Sequence, residues 1–129
     1  MRSFHTPLGH VLEPDEIITN VSVPKVKPHT KQRFLKFRPR KAIDFSTVSV
    51  SSVMTTAGDV IQTARIVVGG VSPMLYEAVS AGQILIGEFA TESVAEKAAE
   101  AAVRDAMPLS KNGFKVPLVK ALVKRSILE

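Results

Sequence analysis

The chain has 129 residues and a mass of 14.0 kDa, with 45% hydrophobic residues, 5% aromatics, no Trp and a net charge of +5. This is one ordinary domain or a piece of a larger protein, with a core to be built from Val, Ile, Leu and Ala, and a basic balance that permits an anionic partner. The absence of Cys excludes disulfides, a thiolate metal centre and a Cys nucleophile. No apolar run nears the ~20 residues of a membrane helix and Met1 to Val11 lacks a signal-peptide core, so a soluble, cytoplasmic protein is expected.

In chain order, residues 1–16 read as irregular, with turn chemistry at Pro7, Gly9, Pro14 and Asp15-Glu16. The adjacent acids Asp15 and Glu16 would point apart on a strand, so a turn suits them better than acid–base work. Ile17 to Val23 is β-branched and alternating, which predicts a strand stopped by Pro24. A basic, proline-bounded loop follows to Thr30. Gln32 to Phe37 predicts a short strand, ended by Pro39, which has no N–H to give a ladder.

Ser46 to Thr55 predicts a longer strand, with Val48, Val50, Ser52 and Met54 on one face and Thr47, Ser49, Ser51 and Val53 on the other. Its small hydroxyl residues suggest close approach of another backbone or domain. Ala57-Gly58-Asp59 is a tight turn, and Val60 to Val68 the second, antiparallel arm of a hairpin. Gly69-Gly70 reads either as a sheet exit needing positive φ or as a place where a cofactor or neighbouring chain nears the backbone.

Three helices are then expected. Leu75 to Ile86 is weakened by Gly82 by ~1 kcal/mol and closed by Gly87. Glu92 to Ala106 has Thr91 as N-cap and an apolar, mostly Ala stripe from Val94 through Ala95, Ala98, Ala99, Ala102 and Val103 to Ala106. After the Asn112-Gly113 turn, Val116 to Leu128 carries Leu118, Leu122, Val123 and Ile127 on one side, with Pro117 in its first turn. Strands before helices argue an α+β fold, with three to four antiparallel strands and three helices packed on one face.

His5, His10 and His29 share no ligand spacing, so no metal site is expected. The sequence holds no P-loop, dinucleotide fingerprint or nucleophile elbow. The concentrated feature is Arg33 to Phe45, where Arg33, Lys36, Arg38, Arg40 and Lys41 stand beside Phe34, Phe37 and Phe45. A basic edge strand avoids aggregation without further purpose. Cations beside aromatic faces equally suit a planar anion or a phosphate. The residues alone leave open a small basic binding module for nucleic acid or an acidic protein, and an oligomerisation domain using the Ser/Thr-rich strand.

Phe34-x-Lys36-x3-Arg40-x3-Asp44-Phe45 followed by Val48 and Val50, then Ala64-Arg65-Ile66-Val67-Val68-Gly69-Gly70-Val71, resembles the C-terminal domain of the FAD-binding subunit of molybdenum hydroxylases. That family includes carbon monoxide dehydrogenase and xanthine dehydrogenase. Leu12-x-Pro14-x-Glu16-Ile17-Ile18 with Val23-Pro24 is similar to the segment that joins the flavin domain to this one, and Ala98-Ala99, Pro108 and Leu122-x2-Arg125-x2-Leu128 resemble its tail.

The resemblance implies an accessory domain that covers a flavin held mainly by a preceding domain, within an oxidoreductase that passes electrons from a molybdenum–pterin centre through iron–sulfur clusters to FAD. It implies that Lys36, Asp44 and Phe45 face the flavin, with Phe45 against the ring system, that Gln62 is a further contact, and that Arg40 pairs with Asp44 or a neighbouring domain. It places residues 1–16 in a linker from a missing FAD domain and 17–129 in the flavoprotein domain. The chain alone is then expected to bind FAD weakly or not at all and to catalyse nothing. Its partners would be the FAD domain and the iron–sulfur and molybdopterin subunits, with homo-oligomerisation left open and no nucleic acid. Phe114-Lys115 departs from the Tyr-Arg often found there in the family.

Overall fold

The computed structural model describes residues 11–40 and 43–129. The expectations at Pro7 and Gly9, the histidines His5 and His10, and Lys41 lie outside the described residues. Four antiparallel strands, β1 (Thr30–Phe37), β2 (Val48–Ala57), β3 (Val60–Gly69) and β4 (Tyr76–Glu77), form one sheet in the order β1-β2-β3-β4. Three helices follow, α1 (Val79–Leu85), α2 (Glu92–Val103) and α3 (Lys115–Leu128). α1 packs on β3, α3 on β2 and β1, and α2 against both α1 and α3. The expected α+β architecture is the observed one.

The β2–β3 hairpin is the spine of the sheet. Its turn is Gly58-Asp59, with Gly58 at φ +58°, the sign that the first position of a two-residue II′ connection needs. Val48, Val50, Ser52 and Met54 are buried; Val50, Ser52 and Met54 pair with Val68, Ile66 and Ala64 of β3, and Val48 pairs with Phe37 of β1. The core is closed from above by Ala81 and Leu85 of α1, Ala95, Ala98, Ala99 and Ala102 of α2, and Val119, Leu122, Val123 and Ile127 of α3. The hydroxyl of Ser52 donates to the carbonyl of Ser126 at 3.1 Å, so a small residue on β2 does receive another backbone closely. Gly82 has a similar role. A Cβ there would stand 2.8 Å from the Ala64 carbonyl oxygen, so the glycine that weakens α1 also lets it sit on β3.

Three expectations are corrected. Ile17 to Val23 forms no strand, and Ile17 and Val23 are each 83% exposed. Alternation supplies a face to bury, but a strand exists only where a neighbour accepts its hydrogen bonds. The first helix begins at Val79, not Leu75, because Tyr76 and Glu77 pair with Val68 and Val67 as β4. The second helix stops at Val103, three residues early, leaving Ala106 exposed in the connection to α3. Thr91 caps α2 by accepting the Val94 N–H at 3.4 Å, and Glu13 to Glu16 forms the expected turn.

Candidate functional site

The helices cover one side of the sheet, and the register defines the other. Lys36 lies opposite Ser49, and Ser49 opposite Gly69, in one row across three strands. Phe34, Ser51, Val67 and Glu77 make the next row, and Gln32, Val53 and Arg65 the one after. Residues directly paired share a face, and alternation puts all of these opposite the buried Val50 and Val68. The floor is therefore small and flat at Ser49, Ser51 and Gly69. It is flanked by the exposed Phe34 and Lys36 on β1 and by Leu75, whose side chain approaches the Cβ position of Gly69.

The β1–β2 connection stands at the same end of the sheet. It is closed at its base by the Thr47 N–H donating to the Phe37 carbonyl at 2.9 Å. Within it Asp44 spends both carboxylate oxygens locally, one on Arg40 Nε at 3.0 Å and one on the Phe45 N–H at 3.0 Å. The expected Arg40–Asp44 pair is thus present. Its effect is to fix the turn from which Phe45 projects, 94% exposed. No other side chain among the described residues covers this ring, and an exposed aromatic of this kind leaves apolar surface open.

Gly70 leaves the sheet at this same end with φ +80°, where a Cβ would stand 2.8 Å from the Thr47 carbonyl oxygen. The sheet-exit reading of the glycine pair is therefore the observed one at Gly70: it needs positive φ, and the backbone that lies against it is the chain's own Thr47. Its carbonyl accepts the Lys115 amine at 2.6 Å, which ties the start of α3 to the sheet exit. The sequence carried the glycine signal but gave no hint of the Lys115 contact.

Lys36, Asp44 and Phe45 are brought to one end of the sheet; Gln62 is not. It is the extra residue of a bulge opposite Thr55 and Thr56, beside the hairpin turn. At ~3.3 Å per residue this is roughly 20 Å from Lys36 along the strands. Between the two ends, Arg65 grips Glu77 with two hydrogen bonds of 2.7 and 2.8 Å. That pairing holds the guanidinium above its usual pKa, through the hydrogen bond first and the charge second. Lys36 offers a donor, and Phe34 and Phe45 offer exposed aromatic surface.

Residues 33–129 match the family described as CO dehydrogenase flavoprotein C-terminal domain. Among solved structures, the chain is similar to quinoline 2-oxidoreductase from Pseudomonas putida 86, at 30% identity and TM-score 0.72, over 78% of this chain and 36% of that one. It is also similar to carbon monoxide dehydrogenase from Hydrogenophaga pseudoflava, in a form lacking the Mo-pyranopterin moiety of the molybdenum cofactor, at 25% identity and TM-score 0.74, over 81% and 38%. The reconstituted CO dehydrogenase from Oligotropha carboxidovorans shares the fold at 21% identity and TM-score 0.83, over 98% and 46%. The chain thus spans less than half the length of each of these solved chains. No curated protein matches it.

Proposed function

Because this chain belongs to the CO dehydrogenase flavoprotein C-terminal domain family, we propose that its open sheet face and the β1–β2 loop cover a flavin held chiefly by another domain of a molybdenum-hydroxylase-type oxidoreductase. The observation that carries the reading is the convergence of Lys36, the loop-anchored Phe45 and the flat Ser49–Gly69 floor at one solvent-facing end of the sheet.

The residues present fit one side of a planar, polar ring. Phe45 is free to lie against it, Lys36 can donate to an oxygen at its edge, and the small floor lets it come close. They do not supply a glycine-rich cradle for a pyrophosphate, in keeping with a chain that covers a cofactor held elsewhere. When bound, FAD supplies the electron transfer. This chain's residues position and shield: Asp44 sets the direction of Phe45, Phe45 excludes water, and Lys36 fixes orientation. Gln62 enters only if the cofactor or its holder extends along the sheet. In this reading the segment before Ile17 connects to the flavin-holding domain, and iron–sulfur and molybdopterin subunits complete the assembly, with substrate choice made at the molybdenum site.

Coexpression with a flavin-binding polypeptide of this family tests the proposal. A yellow complex should co-purify, and Phe45→Ala should shift its flavin absorption bands and increase quenching of flavin fluorescence by iodide. A colourless chain that fails to co-purify, or a Phe45→Ala complex with unchanged spectrum and quenching, would sink the reading.

A further inference from the structure

The charge of this chain is segregated. Eight of its 17 Lys and Arg residues fall between Lys25 and Lys41, and no Asp or Glu occurs between Glu16 and Asp44, so the remainder of the chain is net negative. The structure puts this run on an edge. Among the described residues β1 is paired only with β2, so its outer backbone N–H and C=O groups face away from the sheet.

The cations also occupy both faces of that edge. Lys31 and Arg33 lie opposite Met54 and Ser52, on the helix side, whereas Lys36 lies opposite Ser49 on the open side. On the strand Arg33 donates to the Glu129 carbonyl, and beyond it Arg40 donates to Asp44. Lys25 and Lys27 lead into the strand, exposed.

Protection of an edge accounts for a Lys or two. It does not account for Phe34 and Phe37, 67% and 43% exposed on the same strand, which make the edge attractive for pairing. Charge then decides what pairs. A second copy of β1 would set like charges opposite each other and is repelled. An acidic strand would find opposite charges on both of its faces, because its side chains alternate as those of β1 do. A nucleic-acid backbone would engage cations on a single side.

We propose that the outer edge of β1 takes an acidic, extended segment of a partner polypeptide as a further strand of the sheet. This does not rest on the flavin reading, and its test involves no flavin. The full chain, labelled for NMR, is titrated with an end-capped Glu-Val repeat as long as β1, in the order Glu-Glu-Val-Val so that acids stand on both faces of a strand, with a Lys-Val repeat of the same order, and with single-stranded oligothymidylate of equal length. The Glu-Val repeat should shift and protect β1 amides against hydrogen exchange. It should weaken by about tenfold or more as ionic strength rises from ~0.01 to ~0.15 M, which shortens the Debye length from about 30 to about 8 Å. Binding should be lost in Lys31→Glu/Lys36→Glu and reduced in Lys31→Gln/Lys36→Gln, with the melting temperature of both unchanged. No shift at β1 at low salt, equal binding by the Lys-Val repeat or by either variant, or tighter binding of the oligonucleotide would each overturn the proposal.

Discussion

β2 has two faces that meet different surroundings. On one, Val48, Val50, Ser52 and Met54 are buried beneath the helices; on the other, Ser49, Ser51, Val53 and Thr55 are only partly covered. The same alternation continues into β1 and β3, so a single pleat separates a side buried under the helices from a side that the described residues leave partly exposed. Aliphatic volume marks the first, and hydroxyls, a glycine and flanking Phe and Lys mark the second. The contrast shows that self-sufficiency of a fold and availability for binding can be divided between odd and even positions of one strand.

Breaking the closed side should cost most. Ile66→Ala, at a fully buried position facing Ser52, should lower unfolding free energy by ~2–5 kcal/mol in denaturant titration. Gly70→Ala joins a positive φ to a clash with the Thr47 carbonyl and should cost about 1–3 kcal/mol, read the same way. Ser52→Ala removes the hydroxyl donated to Ser126 and should cost about 1 kcal/mol.

The open side should respond in the opposite manner. Phe34→Ala and Phe45→Ala should change the stability of the isolated chain by less than about 0.5 kcal/mol, even where they alter a complex. A large loss of stability at either residue would mean that the face is closed by the chain after all.

The smallest effect belongs to the outer flank of the helices, where Lys124 bridges Glu92 and Glu96 at 2.9 Å each. The hydrogen bond to Lys124, then its charge, lowers the Glu96 carboxylate below its ordinary value of 4.5. A lowered folded-state pKa stabilises above the unfolded value, and that contribution fades as pH falls through the folded one. Wild type and Glu96→Gln should therefore differ slightly in melting temperature near neutrality and converge in acid below pH 4.5.

Much of this was legible in the residues. The β2–β3 hairpin, the Thr91 cap and the Ala stripe of α2 all rest on spacings of a few residues, which is where local sterics and short hydrogen bonds act; the Arg40–Asp44 pair was one of two partners that the family resemblance implied for Arg40. The candidate site was half legible. Phe45 and Lys36 stood out by composition, but only the register put Lys36 in a row with Ser49 and Gly69; Gln62 is at the far end because it follows the Gly58-Asp59 turn by three residues.

By itself the sequence determined which residues want to be buried, where the chain must turn, and that strands precede helices, because periodicity, Pro, Gly and capping residues act on their own neighbourhoods. Tertiary structure alone decided that Ile17 to Val23 stays unpaired, that Tyr76 and Glu77 join the sheet, and that Lys115 reaches the Gly70 carbonyl. Each of those outcomes depends on a hydrogen-bonding partner that lies far along the chain or is missing from the chain's own sheet, and no local pattern encodes whether such a partner arrives.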